Sequence, residues 1–217
     1  MKIQFKDYNN SDAVIAQNYS QEWREISTVL QNMPLHLKAS DQKGKQGTPI
    51  FNPVGTNQHI KDQLIAQRWL DAIPLPPELD ALGTGVDFGK RGLLLEVQFS
   101  NYPFLLNNLL RSEILYKRHF SIGEVPTRLA LIVTKAHMFP SSNSSLYYEQ
   151  AVKQLDLISS FDIFEIPLRI IGLFENYNEQ IPTTWNVYSN SRYSRTVNDT
   201  NVIKSVINDR NVIRIVE

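Results

Sequence analysis

Residues 128–134 (RLALIVT) and 168–174 (LRIIGLF) place apolar side chains at almost every position instead of every second one. That is how strands buried on both faces read. Between them a polar loop, residues 141–145 (SSNSS), opens a helix predicted over 146 to about 159. Strand, loop, helix and strand make a βαβ crossover, which returns the second strand parallel to the first. The expected fold class is therefore α/β with part of the sheet parallel.

A second strong pattern lies upstream, in residues 83–101. From Leu95 onward the chain alternates, with Leu95, Val97 and Phe99 on one side and Glu96, Gln98 and Ser100 on the other. This period of two predicts a strand with one face in the core and a polar face opposite. Arg91 and Gly92 suit a two-residue hairpin turn, the glycine taking a positive φ. In that register Lys90 pairs with Leu93, Gly89 with Leu94, Phe88 with Leu95 and Asp87 with Glu96. Two carboxylates would then face each other with Cβ atoms about 5 Å apart, a destabilising arrangement unless something compensates. One acid can hold a proton, a divalent cation such as Mg²⁺ can sit between them, or both can simply face water at an edge hairpin.

The remaining elements frame this hairpin. Residues 20–32 read as an amphipathic helix capped by Ser20, with Trp23, Ile26, Val29 and Leu30 on one face and Pro34 closing it. Residues 38–47 form a basic, glycine-containing loop able to lie along phosphates. A second helix is predicted over 57 to about 70, capped by Thr56 and burying Ile60, Leu64, Ile65 and Trp69. Pro103 fits the first turn of a third helix reaching His119, with a broad face of Leu105, Leu106, Leu109, Leu110, Ile114 and Leu115. That face is wide enough to cover a sheet and still meet a partner chain. From Ile181 the sequence turns polar and β-like, and two short β runs flank Asn208 and Asp209. Extra strands are expected at the carboxyl end.

With 217 residues, one domain spanning 1–217 is expected, with about 181–217 as a β-rich extension. Lysine plus arginine and aspartate plus glutamate both number 22, so overall charge does not advertise nucleic acid; only its distribution can. There is no cysteine, which excludes disulfides, Cys-ligated zinc and thiol catalysis. The four histidines show no metal-ligand spacing. Phosphate-binding glycine loops and a serine nucleophile elbow are missing too. No signal core or membrane-length apolar run occurs, so a soluble, cytoplasmic protein with no membrane partner is expected. What remains is an acid pair in a central hairpin, with loops rich in Asn, Ser, Tyr and Arg, side chains suited to base edges and phosphates.

Asp87 followed after a short turn by Glu96, Val97 and Gln98 resembles the motif of the PD-(D/E)XK nucleases, with Gln98 where most members have lysine. The surrounding blocks, residues 33–42, 53–58, 87–91, 96–108, 141–151 and 192–196, are similar to the BglII-like type II restriction endonucleases. The resemblance implies a restriction-endonuclease-like core: a central mixed sheet flanked by helices. It implies a homodimer on double-stranded DNA that cuts a GATC-centred palindrome, AGATCT, and leaves 5′ overhangs. Asp87 and the Val97 carbonyl would ligate Mg²⁺, with Glu96 orienting water or supporting from behind and Gln98 at the scissile phosphate or its water. Ser100, Asn101, Asn143, Ser144, Tyr193 and Arg195 match DNA-contacting positions. Ser191 stands where lysine is expected, which bears on the outer base pair. A methyltransferase protecting the same site is implied as a genomic neighbour, not as a binding partner. Two other readings stay open at this point: a non-specific or repair-type nuclease of the same superfamily, and a DNA-binding protein whose site has decayed at Gln98.

Overall fold

The structure, a computed structural model, describes residues 1–217 apart from Ser100, Met138, residues 142–144, residues 190–195 and Glu217. The chain opens with β1 (Lys2–Tyr8), α1 (Ser11–Asn18), α2 (Ser20–Asn32), β2 (Leu35–Ala39), β3 (Pro49–Phe51) and α3 (Pro53–Ala66). Next come β4 (Leu70–Pro74), a short 3-10 turn, and the hairpin β5 (Gly85–Lys90) and β6 (Leu93–Val97). Helix α4 (Phe104–Lys117) leads through the small β7 (Ser121–Ile122) and β8 (Val125–Pro126) pair to β9 (Leu129–Lys135). Then follow α5 (Tyr148–Ser159), β10 (Leu168–Phe174), β11 (Gln180–Tyr188), β12 (Val197–Ile207) and β13 (Ile213–Val216).

Six strands form the central sheet in the order β1-β10-β9-β6-β5-β4. Its middle is parallel, with β10 beside β9 and β9 beside β6, and its flanks are antiparallel. The mixed sheet and the crossover thus match expectation. Alternation along the buried strands splits the core in two. Leu129, Leu131 and Val133 face one cluster, shared with α2, α3 and Phe51, while Ala130 and Ile132 face the other, under α4 and α5. Both faces of β9 are dry because both crossovers of the parallel strands put their helices on one side and the amino-terminal helices cover the other.

The carboxyl-terminal strands form a second sheet, though not by themselves. Its order is β13-β12-β11-β2-β3, and β11 runs parallel to β2. Strands from near the start of the chain therefore complete it, a pairing that no local pattern announces. Among the described residues, no helix is long and apolar enough to cross a membrane.

Several helix ends differ from expectation for local reasons. Tyr19, not Ser20, precedes α2, because α1 ends directly before it. The cap of α3 is Asn52, whose Oδ1 accepts from the Gly55 amide at 3.2 Å; Thr56 lies inside the first turn, its hydroxyl donating to the Asn52 carbonyl at 2.8 Å. That helix stops at Ala66, so Trp69 is buried from the following segment and Ile65 is exposed. Pro103 stands just ahead of α4, which ends at Lys117.

Candidate active site

The β5–β6 turn is as the residues require: Arg91 and Gly92 adopt φ of +50° and +82°, the two left-handed positions of a two-residue hairpin. The ladder pairs Lys90 with Leu93, Gly89 with Leu94 and Phe88 with Leu95. Beyond it the strands do not simply set Asp87 against Glu96. The Asp87 carboxylate accepts a hydrogen bond from the Val97 amide at 2.8 Å and is exposed. Glu96 is only 3% exposed. The two acids therefore occupy different media, one wet and one dry.

The polar face of β6 is not an edge. Helix α4 covers it, and the apolar stripe of that helix is interrupted at Asn108 and Arg111, both buried. The Arg111 guanidinium makes a short hydrogen-bonded ion pair with Glu96 and donates to Asn108 Oδ1 and the Leu82 carbonyl, each at 3.0 Å. Asn108 Nδ2 donates to Gln98 Oε1 at 3.3 Å, and Gln98 Nε2 donates to the Asn101 carbonyl at 3.3 Å. Gly83, at φ +117°, leaves room for this guanidinium: a Cβ there would lie 2.8 Å from Arg111 Nη1. Sequence reading missed Arg111 and Asn108. Their signal was two polar residues at i and i+3 on the helix face that Leu105 and Leu115 bury, where a buried partner is obligatory.

Burial pushes the Glu96 carboxyl up to about 7; the Arg111 cation opposes that shift and the neighbouring Asp87 charge adds to it. Desolvation wins over the ion pair because the carboxylate has lost nearly all its water.

Asp87 opens instead onto a cleft of about 200 Å³. Its walls include Val97 from β6, Asp71 from β4, and Asn57, Gln58 and Lys61 from one side of α3. Lys61 Nζ pairs with Asp71 Oδ2 at 2.6 Å. The β4–β5 ladder joins Asp71 to Phe88 and Ile73 to Val86 and passes over Ala72, whose φ is +47°. Amide and carbonyl of a strand residue point the same way. The Val97 carbonyl thus looks toward the Asp87 edge. Among the described residues no cluster of three His, Cys, Asp or Glu could by itself cage a metal. An exposed carboxylate beside a backbone carbonyl is nevertheless a hard-oxygen donor set, suited to a cation that fills its other positions with water and phosphate. These residues fit such an ion.

Of the expected DNA contacts, Ser100, Asn143, Ser144, Tyr193 and Arg195 lie outside the described residues. Asn101 is exposed and bridges to Ser145, so the chain shortly after β6 meets the residue that follows Ser144 in the sequence.

Comparison with known proteins bears on this geometry. The family described as restriction endonuclease BglII/BglIII matches residues 3–173. The chain is 49% identical over 211 residues to the type II restriction enzyme BglII of Bacillus subtilis, covering 97% of this chain and 93% of that protein. The crystal structure of restriction endonuclease BglII complexed with a DNA 16-mer superposes with a TM-score of 0.95 at 48% identity, each chain fully covered. The crystal structure of free BglII gives 0.79 at 45% identity, again over the whole of both chains.

Proposed function

The chain belongs to the BglII/BglIII family of restriction endonucleases, and on that premise we propose that Asp87, Glu96 and Gln98 form its catalytic site for cutting AGATCT, with Mg²⁺ as the working ion. It is a type II restriction endonuclease, a DNA phosphodiesterase that needs a divalent metal. The observation that carries the site assignment is the separation of the two acids by medium: Asp87 wet in a cleft, Glu96 dry on Arg111.

Asp87 and the Val97 carbonyl would hold the ion, which would supply an activated water at neutral pH and offset charge developing on the phosphate. The hydrogen bond that the Val97 amide donates to Asp87 Oδ2 fixes which carboxylate edge faces the cleft. Glu96, locked by Arg111, orients the attacking water. Gln98, steadied by Asn108, hydrogen-bonds at the scissile phosphate or its water. Ser100, Asn101, Asn143 and Ser144 read bases, and Tyr193 and Arg195 contact the DNA; the bridge from Asn101 to Ser145 supports a base-reading role for Asn101. The cut leaves 5′ overhangs.

We also infer a homodimer, since a palindrome needs one site per strand and its symmetry mirrors that of the protein. The outer faces of α4 and α5 lie on the same side of the sheet, and Phe104, Leu106, Leu110, Leu157 and Phe161 are exposed there, Leu110 at 51% and Phe161 at 69%. Exposed apolar side chains on these helices support burial against a second copy. A single domain over residues 1–217 is supported by one apolar cluster that joins Leu35, Leu37, Ile181 and Ile207 of the second sheet to Leu93 and Leu131 of the first. A methyltransferase protecting the same site is expected beside the gene.

The test is digestion of a supercoiled plasmid of known sequence. Discrete fragments with Mg²⁺ and none with EDTA are expected, with fragment ends reading GATC-centred 5′ overhangs; a smear would refute site specificity. Asp87→Asn should abolish cleavage while DNA binding persists, and an active variant would sink the metal assignment. Sedimentation with target DNA should give a dimer, which Leu106→Glu together with Leu110→Glu should dissociate.

A further inference from the structure

The motif supplies no free cation. Gln98 is neutral and held by Asn108 and the Asn101 carbonyl on the buried side of β6. The Arg111 guanidinium is buried and committed to Glu96, Asn108 and Leu82. Phosphoryl transfer spreads negative charge over the non-bridging oxygens, and positively charged donors at that phosphate are a main source of rate. The described residues lining the Asp87 cleft include one cation, Lys61, set one helical turn after Asn57 on α3. Its side chain is 44% exposed and its ammonium pairs with Asp71, itself on the rim of the same cleft.

We propose that Lys61 is a catalytic residue of this nuclease: when DNA is bound, its ammonium donates a hydrogen bond to a non-bridging oxygen of the phosphate seated beside Asp87. Asp71 keeps the side chain extended across the cleft before DNA arrives, so little rotamer freedom is lost on engagement. Lys61 keeps its proton throughout and makes no covalent bond. Its place on α3, rather than on the catalytic strand, lets the cation approach from the side opposite the buried Glu96 cluster. This inference rests on Asp87 marking the scissile phosphate.

Single-turnover cleavage with Mg²⁺ of a duplex carrying the site that the plasmid digest defines, and binding of the same duplex with Ca²⁺, test it together. Lys61→Met and Lys61→Gln should slow cleavage by about a hundredfold. Lys61→Arg should retain most of the rate, and the salt slope of binding should fall by about two for the neutral variants, one for each protomer of the dimer. A duplex with a neutral methylphosphonate at the phosphate that is cut gives the readout a structural role would not move. The wild type should lose clearly more affinity for it than Lys61→Met does, the loss common to both coming from the Ca²⁺ beside Asp87. An unchanged rate overturns the proposal; so does equal methylphosphonate sensitivity in wild type and variant, or a lowered melting temperature with cleavage intact. Asp87→Asn run alongside separates the failures: if it still cleaves, the metal reading falls, and if it is dead while Lys61→Met cuts normally, Lys61 alone is excluded.

Discussion

Among the described residues, the Lys135–Glu175 and Arg111–Glu96 ion pairs are buried to nearly the same degree but stand in different surroundings. Lys135 and Glu175 join the ends of β9 and β10, their atoms 2.7 Å apart, with Lys135 also donating to the Leu173 carbonyl at 3.1 Å and lying 4.4 Å from the centroid of the Phe139 ring. Burial lowers the Lys135 pKa, and Glu175 pulls it back up. That pair lies apart from the Asp87 cleft, Glu175 lining a separate pocket with Met1 and Asn176. Arg111 and Glu96 are equally dry, but a second acid, Asp87, stands beside them at the edge of solvent. A buried pair replaced as a whole can be neutral for stability, whereas one partner left alone is costly. The Lys135–Glu175 pair is a structural tie; in the Arg111–Glu96 pair the same physics holds a carboxylate in one orientation beside a cleft.

Removing the cation from each pair separates these roles. Arg111→Met should cost about 3–5 kcal/mol of stability and also cleavage, by orders of magnitude, because Glu96 is left buried without a partner. Chemical denaturation and single-turnover rates report the two losses, and full activity in the folded variant would erase the distinction between the pairs. Lys135→Met should lose a similar 3–5 kcal/mol while the folded protein keeps its rate, and adding Glu175→Gln should restore part of the stability. A cleavage defect in that double variant would mean the second pair also serves the site.

A buried polar group without a partner sharpens the contrast. Neither ring nitrogen of His36 is hydrogen-bonded among the described residues, and its ring lies 5.4 Å from that of His59. Burial, with His59 adding to it, pushes its pKa down to about 4. The unfolded chain takes up the proton near 6.5 and the folded protein refuses it until about 4, so stability falls as pH drops through that window. The loss should total about 3 kcal/mol, and His36→Leu should flatten that part of the stability profile. The smallest expected effect is at a neutral hub. Asn52 caps α3, accepts from the Tyr188 hydroxyl at 3.0 Å and donates to Asn186 at 2.9 Å. Asn52→Ala should cost about 1–2 kcal/mol, read as a lower denaturation midpoint; no change would mean that water replaces the cap.

The parts legible in the sequence were those whose cause is local. Gly92 after Arg91 specified the hairpin turn and, with it, the register from Lys90 to Leu95. Consecutive apolar positions specified β9 and β10 as central strands, and their separation specified the parallel crossover. Asp87 and Glu96 stood out as an acid pair on one hairpin, and Val97 and Gln98 joined them through the family resemblance. Arg111 and Asn108 escaped because they come from α4, and only its docking on β6 turns two polar helix residues into partners of Glu96 and Gln98. The cap of α3 was misjudged because Asn52 and Thr56 are both good capping types, and the choice fell to the residue that could also reach Asn186 and Tyr188.

The sequence by itself thus determined the strands, the crossover, the hairpin register and the pair of acids, since each follows from side-chain period or a turn's φ requirement. The tertiary structure alone decided that the acids differ: α4 dries Glu96 while the open edge at Ala72 leaves Asp87 wet. It also decided that β2 joins β11 to complete the second sheet, and that Lys61 shares a cleft with Asp87. Burial and long-range pairing depend on what covers a residue, and a chain does not carry that information at the residue itself.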